Sequence, residues 1–260
     1  MQGDSMDEKT HKALSIDQFT RQAIPFASLP GHSSSLDILS HLSKPNSTDL
    51  ALDVACGPGL VACHFAPSVS HITGLDITPE MIRQAEQAQT KGGLSNMAWQ
   101  VGPADPLPFD NSSFSLVLTR YSFHHFQRPG SVLAEMIRVC RPGGRVLVAD
   151  VAQQADKVDA YDEIELLRDP SHTHALSRDE FANLFAASGL EAILFDEYKV
   201  EMALEVQLSA SFPVPGGADR IRELVRADVG HDRCGLSAHW VGSELHYELP
   251  IVVAVGRKIA

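Results

Sequence analysis

The chain has 260 residues, long enough for one α/β unit with additions, and 44% of them are apolar, which supports a sizeable core. Its 33 acidic residues outnumber 21 lysines and arginines; the net charge of −12 argues against nucleic acid as the main partner, because phosphate binding needs clustered cations. Cys56, Cys63, Cys140 and Cys234 form no C-x-x-C pair, and no apolar leader or membrane span is visible, so the expectation is a soluble, cytoplasmic chain.

Residues 1–14 are polar and are expected to fray. The segment from Gln18 to Ser33 is aromatic and interrupted by Pro25 and Pro30; it leads to Ser35, which suits the N-cap of a helix over Leu36–Leu42. A first strand, Leu50–Ala55, then runs into the turn Cys56-Gly57-Pro58-Gly59. Gly57 and Gly59 accept positive φ or a close backbone approach, so a ligand can lie against bare backbone at the strand's carboxyl end, where open α/β sheets bind ligands. The same letters fit a dinucleotide fingerprint, with Gly57, Gly59 and Ala62 at the G-x-G-x-x-G/A positions and Asp76 after the next apolar run. Charge separates the two readings. Pyrophosphate wants a helix N-terminus without a nearby anion, whereas Asp53, at the strand end, suits an ammonium or sulfonium group. Cys56 beside the turn has two carboxylates and no cation nearby, which favours an inert thiol over a nucleophile.

The second strand, His71–Asp76, ends in a carboxylate suited to two ribose hydroxyls, and Ile77 and Met81 follow to line an adenine slot. Gly102-Pro-Ala104-Asp105 ends a third strand with an acid that can accept from an adenine amine. Ser113–Arg120 reads as a fourth strand, Phe123-His124-His125-Phe126 as its exit, and Arg138–Asp150 as helix, Gly143-Gly144 turn and fifth strand. This run, roughly the middle two-thirds of the chain, resembles the class I S-adenosylmethionine-dependent methyltransferases, particularly the small-molecule branch related to ubiquinone/menaquinone-biosynthesis enzymes. The resemblance implies that Asp53, Ala55, Gly57 and Gly59 surround the methionine part of S-adenosylmethionine, Asp76 its ribose, and Ile77, Met81, Ala104 and Asp105 its adenine, with Arg120 closing the floor. It also implies an N-terminal lid that brings Phe19 or Phe26 near the methyl group; the same segment also reads as a hydrophobic staple on the sheet.

Downstream, Asp159–Arg168 reads as a helix, followed by Arg168-Asp169-Pro170-Ser171-His172, a stretch that members of this branch often carry at the wall of the acceptor pocket. Ser177 and Glu180 form a capping box for the next helix. Leu190–Val200 is a sixth strand, Ala218–Asp228 a helix, and Leu245–Gly256 a seventh strand with Pro250 near its start. The implied architecture is an α/β, Rossmann-like seven-stranded sheet, mostly parallel, with an antiparallel last strand inserted between the fifth and sixth and helices on both faces. One domain is expected over 1–260, divided into a lid (1–34), a cofactor-binding core (35–151), a substrate-side insertion (152–188) and C-terminal strands and helix (189–260).

Methyl transfer from such a cofactor needs proximity and alignment, and a base only if the acceptor must lose a proton. His124 and His125 lead as that base, with His172 behind them; a histidine pair at a strand exit also reads as backbone caps packed on Phe126. No His, Cys or carboxylate spacing suits a metal, so metal independence is expected. The expected function is O-, N- or C-methylation of a small molecule. Two alternatives stay open: an S-adenosylmethionine-binding protein without transfer, isomerase- or cyclase-like, and an NAD-type oxidoreductase.

Overall fold

The computed structural model describes residues 7–27 and 35–259, and the Phe26 side chain lies outside the described part. The first described element is α1 (Glu8–Ala27), so residues 8–14 are helical rather than frayed. Asp7 starts it, accepting from the Lys9 and Thr10 amides at 3.1 Å each. Glu8–Lys12 and Asp17–Arg21 pair at i,i+4 along its outer side. Its inner side is polar but buried: His11 and Ser15 are each 8% exposed, Gln22 is 1%. Pro25 falls in the last turn and does not break the helix. The next described helix, α2 (Leu36–Ser43), lacks the expected cap, because Ser35 takes φ 62° and its hydroxyl makes no capping bond.

Strands and helices then alternate as β1 (Leu50–Val54), α3 (Leu60–Phe65), β2 (His71–Asp76), α4 (Pro79–Gly92), β3 (Met97–Val101), β4 (Phe114–Arg120), α5 (Pro129–Val139) and β5 (Cys140–Val151). These five strands pair in parallel. Every residue of β4, and of β1 after Leu50, is buried, as a parallel sheet covered on both faces requires. Leu39, Phe65, Ile164 and Ile221 pack on one face; Met136, Phe181 and Phe185 pack on the other. The chain continues as α6 (Val158–Arg168), α7 (Arg178–Ala186), β6 (Leu190–Ala203), α8 (Leu204–Ser209), α9 (Gly217–Asp228), β7 (His239–Val241) and β8 (Glu244–Lys258). The capping box of α7 forms, with reciprocal bonds between Ser177 and Glu180.

The sheet order is β3-β2-β1-β4-β5-β8-β6, with β8 antiparallel to both neighbours, which places the last strand between the fifth and sixth. Among the described residues the sheet has eight strands rather than seven, since β7 pairs the first residues of β8 around Gly242 at φ 61°. Three residues are too few to show a period-2 pattern. Pro250 sits in mid-strand, not near the start. Its carbonyl accepts from Ala152 at 3.1 Å just where β5 ends, so its missing N–H falls on the side that β5 vacates. Strand order reverses between β1 and β4, and a crevice opens beyond their carboxyl ends.

Candidate active site

A cleft of about 190 Å³ occupies that crevice. The chain leaves β1 through three left-handed residues, Ala55 (φ 54°), Gly57 (φ 51°) and Gly59 (φ 80°). Only open space surrounds a Cβ built on Gly57, and its N–H donates to Asp76 Oδ2 at 2.9 Å. The other oxygen of Asp76 accepts from Thr78 at 2.8 Å, so one carboxylate organises both turns. Burial pushes the Asp76 pKa up against the pull of these amides. Ile77, Met81, Ala104, Asp105 and Arg120 stand on the same wall. At its outer edge Arg128 reaches Asp105 at 3.4 Å and Glu8 of α1 at 3.1 Å.

Two expected wall residues lie elsewhere. Asp53 is registered against Gly74 and Leu118 in the flanking strands and is 1% exposed, behind the wall rather than on it. Its Oδ2 has no hydrogen-bond partner among the described residues. Burial above all, with the charge of Asp76 adding and Arg120 opposing, pushes this carboxyl up to about 8. Gly59 is also off the wall: a Cβ there would lie 2.7 Å from Trp99 and 2.9 Å from the Ala85 Cβ. Its missing side chain lets the start of α3 pack against α4 and β3. Gly59→Ala is expected to lower stability by about 2–5 kcal/mol, since left-handed strain costs about 1–2 and overpacking about 1–3. Urea unfolding measures this, and a loss below about 0.5 kcal/mol, the size of an ordinary surface change, would mean that the indole simply moves aside. Cys56 next door is buried, and burial, Asp53 and Asp76 together push its thiol well above the usual range, which leaves it unreactive.

At the exit of β4 the backbone turns through Tyr121 (φ 56°) into a 3₁₀ turn, Phe123–His125. His124 Nδ1 lies 2.5 Å from Asp150 Oδ1, and Asp150 also accepts from Val151 N at 2.7 Å. Burial lowers the His124 pKa, but the Asp150 charge and hydrogen bond outweigh it and the net shift is upward. His125 Nδ1 lies 3.1 Å from the Ser171 carbonyl, and its ring meets Phe19 edge-on at 4.9 Å. Burial and the neighbouring His124 lower it to about 3, so its ring is neutral at pH 7. His172 is not on the cleft. Its Nε2 is held 2.6 Å from Asp162, it is 3% exposed, and it supports the His124 ring from 5.7 Å.

Phe19, Tyr121 and His125 also line a second, deeper chamber of about 60 Å³ and so form the partition between the two spaces. His124, Asp150 and the buried Glu165–Arg168 pair lie in the deeper chamber. Beneath the partition, Arg120 donates to the Tyr121 hydroxyl at 2.8 Å, which meets Tyr198 at 2.8 Å. Sequence reasoning missed Asp150 as the partner of His124, although an acid ending the apolar run Val146–Ala149 repeats the pattern of Asp76. Among the described residues no helix is long and apolar enough to cross a membrane, and no cluster of three His, Cys, Asp or Glu is placed to hold a metal ion.

A family described as a methyltransferase domain matches residues 52–148. YcgJ of Bacillus subtilis (strain 168), an uncharacterized methyltransferase, is 35% identical over 141 residues, covering 54% of this chain and 56% of that protein. The chain thus spans about half the length of this relative by sequence. YafE of Escherichia coli (strain K12), an uncharacterized protein, is 32% identical over 142 residues, 53% of this chain and 69% of that one. The ubiquinone/menaquinone biosynthesis C-methyltransferase UbiE of Geotalea daltonii is 37% identical over 105 residues, 38% and 44% of the two chains. The crystal structure of YcgJ superposes with a TM-score of 0.79 at 24% identity, over 88% of this chain and 99% of that one. The present chain's cleft at the β1–β4 reversal, its acid-ended strands and its inserted antiparallel β8 agree with these likenesses, and the chain belongs to the class I S-adenosylmethionine-dependent methyltransferases.

Proposed function

We propose that the protein methylates a small-molecule acceptor held in the deeper chamber, with His124 receiving the acceptor's proton. The observation that carries this reading is the His124–Asp150 pair lining a chamber that shares Phe19, Tyr121 and His125 with the main cleft.

The residues present fit S-adenosylmethionine. A buried, unpartnered oxygen of Asp53 suits a nearby cation, the open space at Gly57 suits close contact, and Asp76 next to apolar Ile77 and Met81 suits a ribose beside an adenine. In this reading Asp76 holds the ribose hydroxyls, Ile77, Met81, Ala104 and Asp105 hold the base, and Ala55 and Gly57 border the methionine end. Asp53 backs the wall as a carboxyl that a bound cation draws toward ionisation, Arg120 supports the floor, and Phe19 forms part of the partition. When bound, the cofactor supplies a methyl group already activated on a cationic sulfur. The protein's remaining task is alignment, which contributes roughly 7–11 kcal/mol in well-oriented intramolecular models. The His124 Nδ1–H donates to Asp150, which leaves the Nε2 lone pair to take the proton of the acceptor's O–H or N–H. The segment 152–188 is assigned to the acceptor side because it supplies Tyr161, Glu165, Arg168 and Asp169 to the chamber.

S-adenosylhomocysteine at about a hundred times its dissociation constant is expected to stabilise the protein by roughly 2.7 kcal/mol, a melting shift of several degrees. NADH is expected to give none, and a larger shift with NADH would end this reading. Asp76→Ala should weaken S-adenosylhomocysteine at least about tenfold in calorimetry, because two charge-assisted hydrogen bonds are lost. An unchanged affinity would move the ribose site away from β2.

A further inference from the structure

The deeper chamber also carries information about what it admits. Gln207 of α8 lines it and is 6% exposed, and its Oε1 is buried without a hydrogen-bond partner among the described residues. An unpaired amide oxygen is costly in an interior, and a ligand N–H or O–H would satisfy it.

The charges define the rest. Asp150, Glu165 and Asp169 face one guanidinium, Arg168. The Nε and Nη2 atoms of Arg168 are engaged by Glu165, and Nη1 donates to Ser211 Oγ at 3.3 Å. Asp169 is in turn held by Gln22 at 2.8 Å and by Ser171 Oγ at 2.6 Å. A ligand carboxylate entering here meets three carboxylates and a cation that is already paired. Val200, Leu249 and Ile251 give the chamber an apolar side that suits a hydrocarbon body.

Building on the assignment of this chamber to the acceptor, we propose that it selects small, non-anionic molecules with a second hydrogen-bond donor, and that Gln207 is the residue that reads this donor. The nucleophilic O–H or N–H is served by His124 Nε2, and the second donor is received by Gln207 Oε1.

The test uses catechol, phenol and benzoate as probes, titrated by calorimetry into the protein saturated with S-adenosylhomocysteine. Catechol is expected to bind at least about tenfold more tightly than phenol, the usual worth of one satisfied buried acceptor, and benzoate is expected not to bind. Gln207→Leu should bring catechol and phenol within about threefold of each other while S-adenosylhomocysteine affinity stays unchanged. Equal binding of catechol and phenol by the wild type, retained preference in Gln207→Leu, absence of catechol binding, or benzoate binding as tightly as catechol would each overturn the proposal. Should Gln207→Leu fail to fold, the wild-type ratio decides. Loss of S-adenosylhomocysteine binding by the wild type would instead overturn the methyltransfer reading, so the two failures are told apart in the same titrations.

Discussion

His124→Ala is expected to lower methyl-transfer turnover by about a hundredfold or more, the usual contribution of a positioned base, while S-adenosylhomocysteine affinity stays within about threefold. The separation follows from the architecture: His124 lines the deeper chamber and not the main cleft, and Asp150 pins its Nδ1. The pH profile gives a second readout. Asp150 outweighs burial and raises the His124 pKa above its ordinary 6.5, so the rate should climb with pH through a value above 6.5 as the ring loses its proton. In Asp150→Asn the opposing charge is gone and burial dominates. The limb should then move to lower pH, and the plateau should also fall because the ring loses its fixed tautomer. Turnover and pH limb that stay as in the wild type in both variants would mean that alignment alone carries the reaction.

Asp53→Asn is expected to make the protein more stable at alkaline pH, by an amount on the order of 5 kcal/mol at pH 9. The native carboxyl holds its proton up to about pH 8, whereas the unfolded chain releases it near the ordinary value of 3.8. The native state therefore binds more protons across this window. Stability falls as pH rises from about 4 to about 8 and is level for this group above it. His124, with its raised pKa, adds a loss of the same sign from about pH 6.5 upward in both proteins. The wild-type and Asn curves from urea unfolding should nearly meet at pH 4 and separate by about 1.4 kcal/mol per pH unit across the window. Parallel curves from pH 4 to pH 9 would show that Asp53 is ionised in the folded protein.

The parts of this fold that were legible are those whose physics is local. His71–Asp76 could be bounded to the residue because a buried parallel strand is a continuous apolar run that stops at a charge. Asp76, Ile77, Met81 and Ala104 were placed on the cleft for the same reason, since each lies at or just past a strand end. What stayed hidden depends on partners distant in sequence. Asp53 lies one residue inside the end of its strand, where Asp76 is the last of its own, and its depth comes from the strands flanking it on both sides. The role of Gly59 depends on Trp99, and the retirement of His172 on Asp162. α1 was misread because its buried side is polar, satisfied by contacts such as His11 with the Ser171 carbonyl at 3.0 Å and Gln22 with Asp169, 147 residues away. No hydrophobic period marks a helix that docks through hydrogen bonds.

The place of β8 sets an order of events during synthesis. Among the described residues β6 pairs within the sheet with β8 alone, and β8 is made after it, so residues 190–203 leave the ribosome before the strand they pair with. Leu194 and Phe195 of that strand are 53% and 46% exposed even in the finished protein. The nascent chain therefore carries an open, partly apolar strand until Glu244–Lys258 has been made and can slide in antiparallel between β5 and β6. That interval is the window in which aggregation competes with folding and a holding chaperone has most to protect.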